Sequence, residues 1–143
     1  MTGLDNIIKR FQSADRDTRL ELLLDFSNRL PPLPEKFQAA VTQGVNRVSE
    51  CQTPVYLFME PVNGSVEIHA DVPREAPTVR GFLSLLIKAL KGATPDEVAA
   101  IPGDLLDRLQ LTDMLGMTRM QGLSAVVQRL KRMATQVNES TSK

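Results

Sequence analysis

The chain has 143 residues, enough for one domain with a sizeable core, and its 42% hydrophobic and 24% charged residues are ordinary for a globular protein. Basic and acidic residues number 17 each and aromatics make up only 4%, with no Trp, so no net field attracts phosphates and few rings stack on bases, which argues against a nucleic-acid partner. The longest apolar run, Phe82 to Ile87, is broken by Ser84 and is too short to cross a bilayer, which excludes a membrane span there.

Leu4, Ile7, Ile8 and Phe11 recur at helical spacing and predict a short first helix over Leu4 to Phe11. Asp15 or Asp17 is placed to cap a second helix running through Leu30, with an apolar stripe of Leu20, Leu23, Leu24 and Phe26. Pro31, Pro32 and Pro34 end it, because proline lacks an N–H and turns its predecessor away from helical angles. A helical turn fits Glu35 to Ala40.

The period then changes. Val55, Leu57 and Met59 alternate with their neighbours, as do Val66 and Ile68, and Asn63-Gly64 between the two runs signals a tight hairpin. A strand around Val45 to Val48 would pair with that hairpin, leaving Cys51 in the turn between strands. After Pro77 the helical period returns in Val79, Phe82, Leu83, Leu86, Ile87 and Leu90, with Gly92 at the end. Thr94-Pro95-Asp96-Glu97 reads as a helix start, and shorter helices fit Asp104 to Gln110 and Thr118 to Val137. A polar tail runs from Asn138 to Lys143. The sum is one α+β domain over residues 1–143, its helices packed on a small antiparallel sheet of about three strands.

Chemistry has few places to sit. A structural zinc site takes about four Cys or His ligands, and the chain offers Cys51 and His69; Asp104, Asp107 and Asp113 read as solvated helix charges, so no metal site is expected. No Gly-rich turn precedes Lys-Ser or Lys-Thr, so no phosphate loop is expected either. A Cys–His hydrolase would need His69, which strand alternation makes a surface or partly buried residue. Cys51 is the remaining candidate. Lone cysteines often serve as small buried hydrophobes, but this one lies between Ser49 and Thr53-Pro54 rather than in an apolar stripe, and Arg47 is near enough in sequence to stabilise its thiolate. A single cysteine forms no internal disulfide, and Asp5, Lys9 and Arg10 are unlike a secretory signal; both features fit a cytoplasmic protein.

The segment Asn46-Arg47-Val48-Ser49-Glu50-Cys51-Gln52-Thr53-Pro54-Val55-Tyr56-Leu57 resembles the SufE family, which places Arg-Val, then Gly-Cys-Gln-Ser, then Val-Trp-Leu there. Four further elements are similar in the same order: Leu30-Pro31-Pro32-Leu33-Pro34-Glu35, Ala76-Pro77-Thr78-Val79-Arg80-Gly81, Thr94-Pro95-Asp96-Glu97-Val98 and Thr118-Arg119-Met120-Gln121-Gly122-Leu123. Order and spacing agree from about Arg16 to Lys131.

The resemblance implies the SufE/IscU-like fold and a sulfur carrier. Cys51 would accept a persulfide from a pyridoxal-phosphate-dependent cysteine desulfurase (SufS-like), stimulate that enzyme, and pass sulfur to an iron–sulfur scaffold (SufBCD-like). The chain would need no cofactor of its own, the pyridoxal phosphate being the partner's, and it would act with that partner rather than as a stand-alone enzyme. Arg119, Gln52 and Glu75 match positions implied in docking or in stabilising the sulfur anion. Four departures stand out: Glu50 replaces the glycine before the cysteine, Thr53 replaces Ser, Tyr56 replaces Trp, and Asp71-Val72-Pro73-Arg74-Glu75 is longer than its counterpart. A carboxylate at Glu50 is expected to raise the thiol pKa and to restrict the backbone. Arg80 reads as an ordinary first-turn charge, and Gly81 and Gly122 as aids to helix packing. The alternatives are a non-catalytic module that regulates a desulfurase or scaffold, and a redox sensor at Cys51.

Overall fold

The computed structural model describes residues 2–141. Helix α1 (Thr2–Ser13) buries Leu4, Ile8 and Phe11, as its spacing requires. Asp15, not Asp17, caps α2 (Arg16–Ser27), its carboxylate accepting the Thr18 N–H. That helix stops at Ser27 rather than Leu30, because the Asn28 and Arg29 N–H groups tighten the last turn onto Leu24, Asp25 and Phe26 ahead of the prolines. Its buried residues include Leu23 and Phe26, while Leu20 and Leu24 are 40% and 39% exposed. Gly81 sets this orientation: a β-carbon there would lie 2.1 Å from the Leu23 carbonyl oxygen, so the two backbones meet where no side chain intervenes.

A 3₁₀ turn (Glu35–Phe37) and the short α3 (Gln38–Thr42) lead to the hairpin of β1 (Tyr56–Val62) and β2 (Ser65–Asp71). Its two-residue turn has Asn63 at φ 51° and Gly64 at φ 85°, the left-handed geometry that matches strand twist. The register runs from Val62 opposite Ser65 to Tyr56 opposite Asp71. Pro61 sits opposite Val66, whose N–H donates away from β1 to the Ala93 carbonyl at 2.9 Å. That pair therefore makes no ladder bond, and proline is tolerated there. The third strand expected at Val45 to Val48 is reduced to one bridge, Arg47 to Tyr56. Gly44 and Asn46, at φ 75° and 67°, curl the backbone and leave too little extended chain for a strand.

The central element is α4 (Pro77–Ala89), in which Gly81 to Leu86 are all buried. A helix apolar on all sides belongs in the interior, and each fully buried Leu or Phe contributes about 1.5–3 kcal/mol. Arg80 is not an ordinary first-turn charge. Its Nε donates to the Ser27 carbonyl at 2.9 Å and its Nη1 to the Val72 carbonyl at 2.6 Å, joining the end of α2 to the residue after β2.

Helix α5 (Pro95–Ala99) opens with a complete capping box between Thr94 and Glu97. After α6 (Leu105–Arg108), α7 (Thr112–Thr141) is interrupted at Gly116, whose φ of 75° separates one turn from the long helix that follows. Leu123, Val126, Val127, Leu130 and Ala134 form its buried stripe. The polar segment from Asn138 continues this helix to Thr141, with Asn138 bonded to Asp96 at 2.8 Å, and the expected tail's last residues, Ser142 and Lys143, lie outside the described residues. Among the described residues no helix is long and apolar enough to cross a membrane.

Candidate functional site

Cys51 lies in a loop closed at its base. The Val48 N–H donates to the Val55 carbonyl at 2.8 Å, and both valines are fully buried, anchoring the two ends. Asn46 reinforces the base, its carbonyl accepting the Leu57 N–H at 3.1 Å and its side-chain amide donating to the Leu57 carbonyl at 2.9 Å. Within the loop the Cys51 N–H folds back onto the Val48 carbonyl at 3.2 Å. The thiol points inward and the residue is 6% exposed, whereas its neighbours Glu50 and Gln52 face solvent.

The inward thiol rests on α7. A β-carbon at Gly122 would stand 3.1 Å from the Cys51 sulfur and 3.3 Å from its Cα, closer than ordinary contact. Gly122 thus aids packing, as its sequence context suggests, and the object it packs against is the cysteine itself. Arg119, Gly122, Val126 and Arg129 follow at spacings of three and four and share one face of α7. Arg129 reaches the loop, its guanidinium 4.0 Å from the Glu50 carboxylate.

Burial pushes the Cys51 thiol pKa up from its ordinary value. The Thr53 N–H and hydroxyl and the charge of Arg47 pull the other way without overcoming it. Glu50 is not the cause: its exposed carboxylate faces Arg129, and its backbone keeps a negative φ, so the loop does not require glycine there. The resting state therefore stores a neutral, sheltered thiol.

The other residues singled out in the sequence are distributed unevenly. Gln52 adjoins the thiol and is exposed. Arg119 is exposed one helical turn before Gly122, on the face that meets the loop. Glu75 is exposed in the connection from β2 to α4. Because Tyr56 pairs with Asp71, that connection and the cysteine loop leave the same end of the hairpin. Arg129 is a partner of this loop that sequence reading does not reveal; Thr53 stands in the loop by its position in the chain, and Arg119 and Gly122 are the residues of α7 that the sequence singles out.

His69 does not activate the thiol. It is 3.0 Å from Glu60 and stacks obliquely on Phe37, on the hairpin face opposite the core. There Glu60, Glu67 and His69 bring one ligand atom each within 4.8 Å of one another, a juxtaposition that simple ligand counting missed. Lys36 already forms an ion pair with Glu60.

Lone cysteine, anchored loop and covering helix define a protein with one buried thiol under its last helix. Residues 5–134 match the family model described as the SufE, Fe-S metabolism associated domain, and the chain belongs to that family. It is 33% identical to a SufE-like protein of Mycobacterium tuberculosis over 130 residues, covering 90% of this chain and 89% of the relative. It is 32% identical over 106 residues to the sulfur acceptor protein CsdE of Escherichia coli, covering 73% of this chain and 68% of that protein. The solution structure of a hypothetical protein from Thermus thermophilus superposes with a TM-score of 0.82 at 30% identity, covering 94% of both chains. The α+β fold is that of the family, with two strands in place of the three expected.

Proposed function

We propose that this chain is a sulfur carrier that takes a persulfide from a cysteine desulfurase onto Cys51 and gives it to an iron–sulfur scaffold. The observation that carries the reading is Cys51 itself, an inward-facing cysteine in a loop anchored at Val48 and Val55 and covered by Gly122. Membership of the SufE family and similarity to a protein named as a sulfur acceptor support it.

In the transfer, the loop swings off α7 and the thiol loses its proton as desolvation is relieved. The thiolate attacks the outer sulfur of the donor's persulfide. A new S–S bond forms on Cys51, the donor's own S–S bond breaks, and the donor cysteine leaves as a thiolate that takes up a proton. The Thr53 donors and Arg47 are placed to stabilise the anion before and after attack. Arg119 and Gln52 are among the exposed groups beside the loop that a docking desulfurase would meet, with Glu75 at the same end of the hairpin. The pyridoxal phosphate that frees the sulfur belongs to the partner. A thiol guarded in this way suits the cytoplasm, where reductants and metals compete for exposed cysteines.

Alanine formation by the desulfurase tests the proposal. A carrier accelerates turnover by clearing the donor's persulfide, and Cys51→Ser abolishes that stimulation while still binding. A regulatory module that does not carry sulfur would stimulate equally well after the same substitution.

A further inference from the structure

The second feature of note lies on the other edge of the hairpin. The Val66 N–H donates outward to the Ala93 carbonyl, and the Val72 carbonyl is held by Arg80. With a period of two along the strand, the N–H and C=O groups of Ile68 and Ala70 point the same way, and neither residue has a backbone partner on that side among the described residues. This short unpaired edge lines a cleft of about 640 Å³ between β2, α4 and the end of α2, and Ile68 and Ala70 are themselves 8% and 3% exposed, so a segment that pairs with them seats deep in the cleft. Phe26, Ile87 and Leu90 line it with apolar surface.

Its charge is one-sided. Lys88 and Lys91 stand at the α4 rim and have no carboxylate partner among the described residues; Arg29, paired with Asp25, extends the positive rim. Lys88 and Arg29 ride over the Phe26 ring at 5.7 and 5.5 Å, which fixes both cations beside the opening. Glu67 is the single acidic residue in the lining. Free strand donors and acceptors, an apolar floor and a cationic rim are the elements of strand addition.

We infer that this cleft binds a short, extended acidic segment of a partner protein, which adds to the Ile68–Ala70 edge with its carboxylates toward Lys88 and Lys91. The Cys51 loop leaves the opposite, β1 side of the hairpin through the Arg47 bridge, so a partner anchored here leaves the thiol free. The inference does not depend on sulfur chemistry.

The test is an NMR titration of the ¹⁵N-labelled full chain with a blocked octapeptide of alternating Glu and Val, and with its Lys–Val counterpart. Saturable shifts of the Ile68 and Ala70 amides are expected, with the lysine peptide about tenfold weaker or worse. Ala70→Pro removes an outward N–H without touching a bond to β1, and should weaken binding by about fivefold or more. Lys88→Glu with Lys91→Glu tests the rim independently, should the proline variant fold poorly, and should favour the lysine peptide. Shifts that map elsewhere, equal binding of both peptides, or no shift of these amides at millimolar peptide would each overturn the inference.

Discussion

Gly122 of α7 lies against Cys51 so closely that a β-carbon would stand 3.1 Å from the thiol sulfur. The contact ties the cysteine to a helix residue more than 70 positions later in the chain. Gly122→Ala should push the loop outward. The added methyl overpacks the contact at a cost of about 1–3 kcal/mol, offset by about 1 kcal/mol of helix propensity, so the unfolding midpoint should fall only slightly. Alkylation of Cys51 by iodoacetamide, in contrast, should quicken about tenfold, equivalent to about 1.4 kcal/mol less protection. An unchanged alkylation rate would mean that Gly122 does not hold the loop.

The thiol's ionisation gives a pH signature. Burial raises its folded pKa above the ordinary value of 9.0, so the native protein holds this proton more tightly than the unfolded chain. The associated stability is fully present below pH 9.0 and is lost as pH rises through the higher folded pKa. Urea denaturation across that alkaline range should show a decline that Cys51→Ala lacks. Thr53→Val removes a hydroxyl that favours the thiolate, and should move the pH profile of alkylation further upward.

Glu50→Gly separates charge from burial. The Glu50–Arg129 pair is exposed on the Glu50 side, and its loss should change stability by no more than about 0.5 kcal/mol. The pH profile of Cys51 alkylation should stay in place, because desolvation rather than Glu50 sets it. A clear downward shift in that profile would return Glu50 to the role its sequence position suggests.

Arg80→Met should destabilise the fold by about 2–3 kcal/mol, since it strips charged donors from two carbonyls on different elements. Arg80→Lys should recover only part of this, because one ammonium does not span both oxygens as the planar guanidinium does. The urea midpoint checks both variants. Alkylation of Cys51 should be unaffected in either.

Local patterns were the most legible. The Asn63-Gly64 turn, the Thr94–Glu97 capping box and the hairpin's alternation all involve residues within a few positions of one another, and the chain folds as they dictate. The exposed Leu20 and Leu24, the work of Arg80 and the pairing of Glu50 with Arg129 all depend on partners distant in sequence. Period and propensity carry no record of such partners. The missing third strand is an intermediate case: Gly44 was visible, but the left-handed Asn46 is stabilised by its bonds to Leu57, a contact that local pattern does not encode. Cys51 itself was legible through its loop context, whereas its burial under α7 was not.

The most direct test of the carrier role is the intact mass of the protein after incubation with a cysteine desulfurase and free cysteine, without reductant. A carrier gains one sulfur, located at Cys51, removed by reductant and absent in Cys51→Ser. A mass unchanged with a turning-over desulfurase, or a gain that survives in Cys51→Ser, would contradict it.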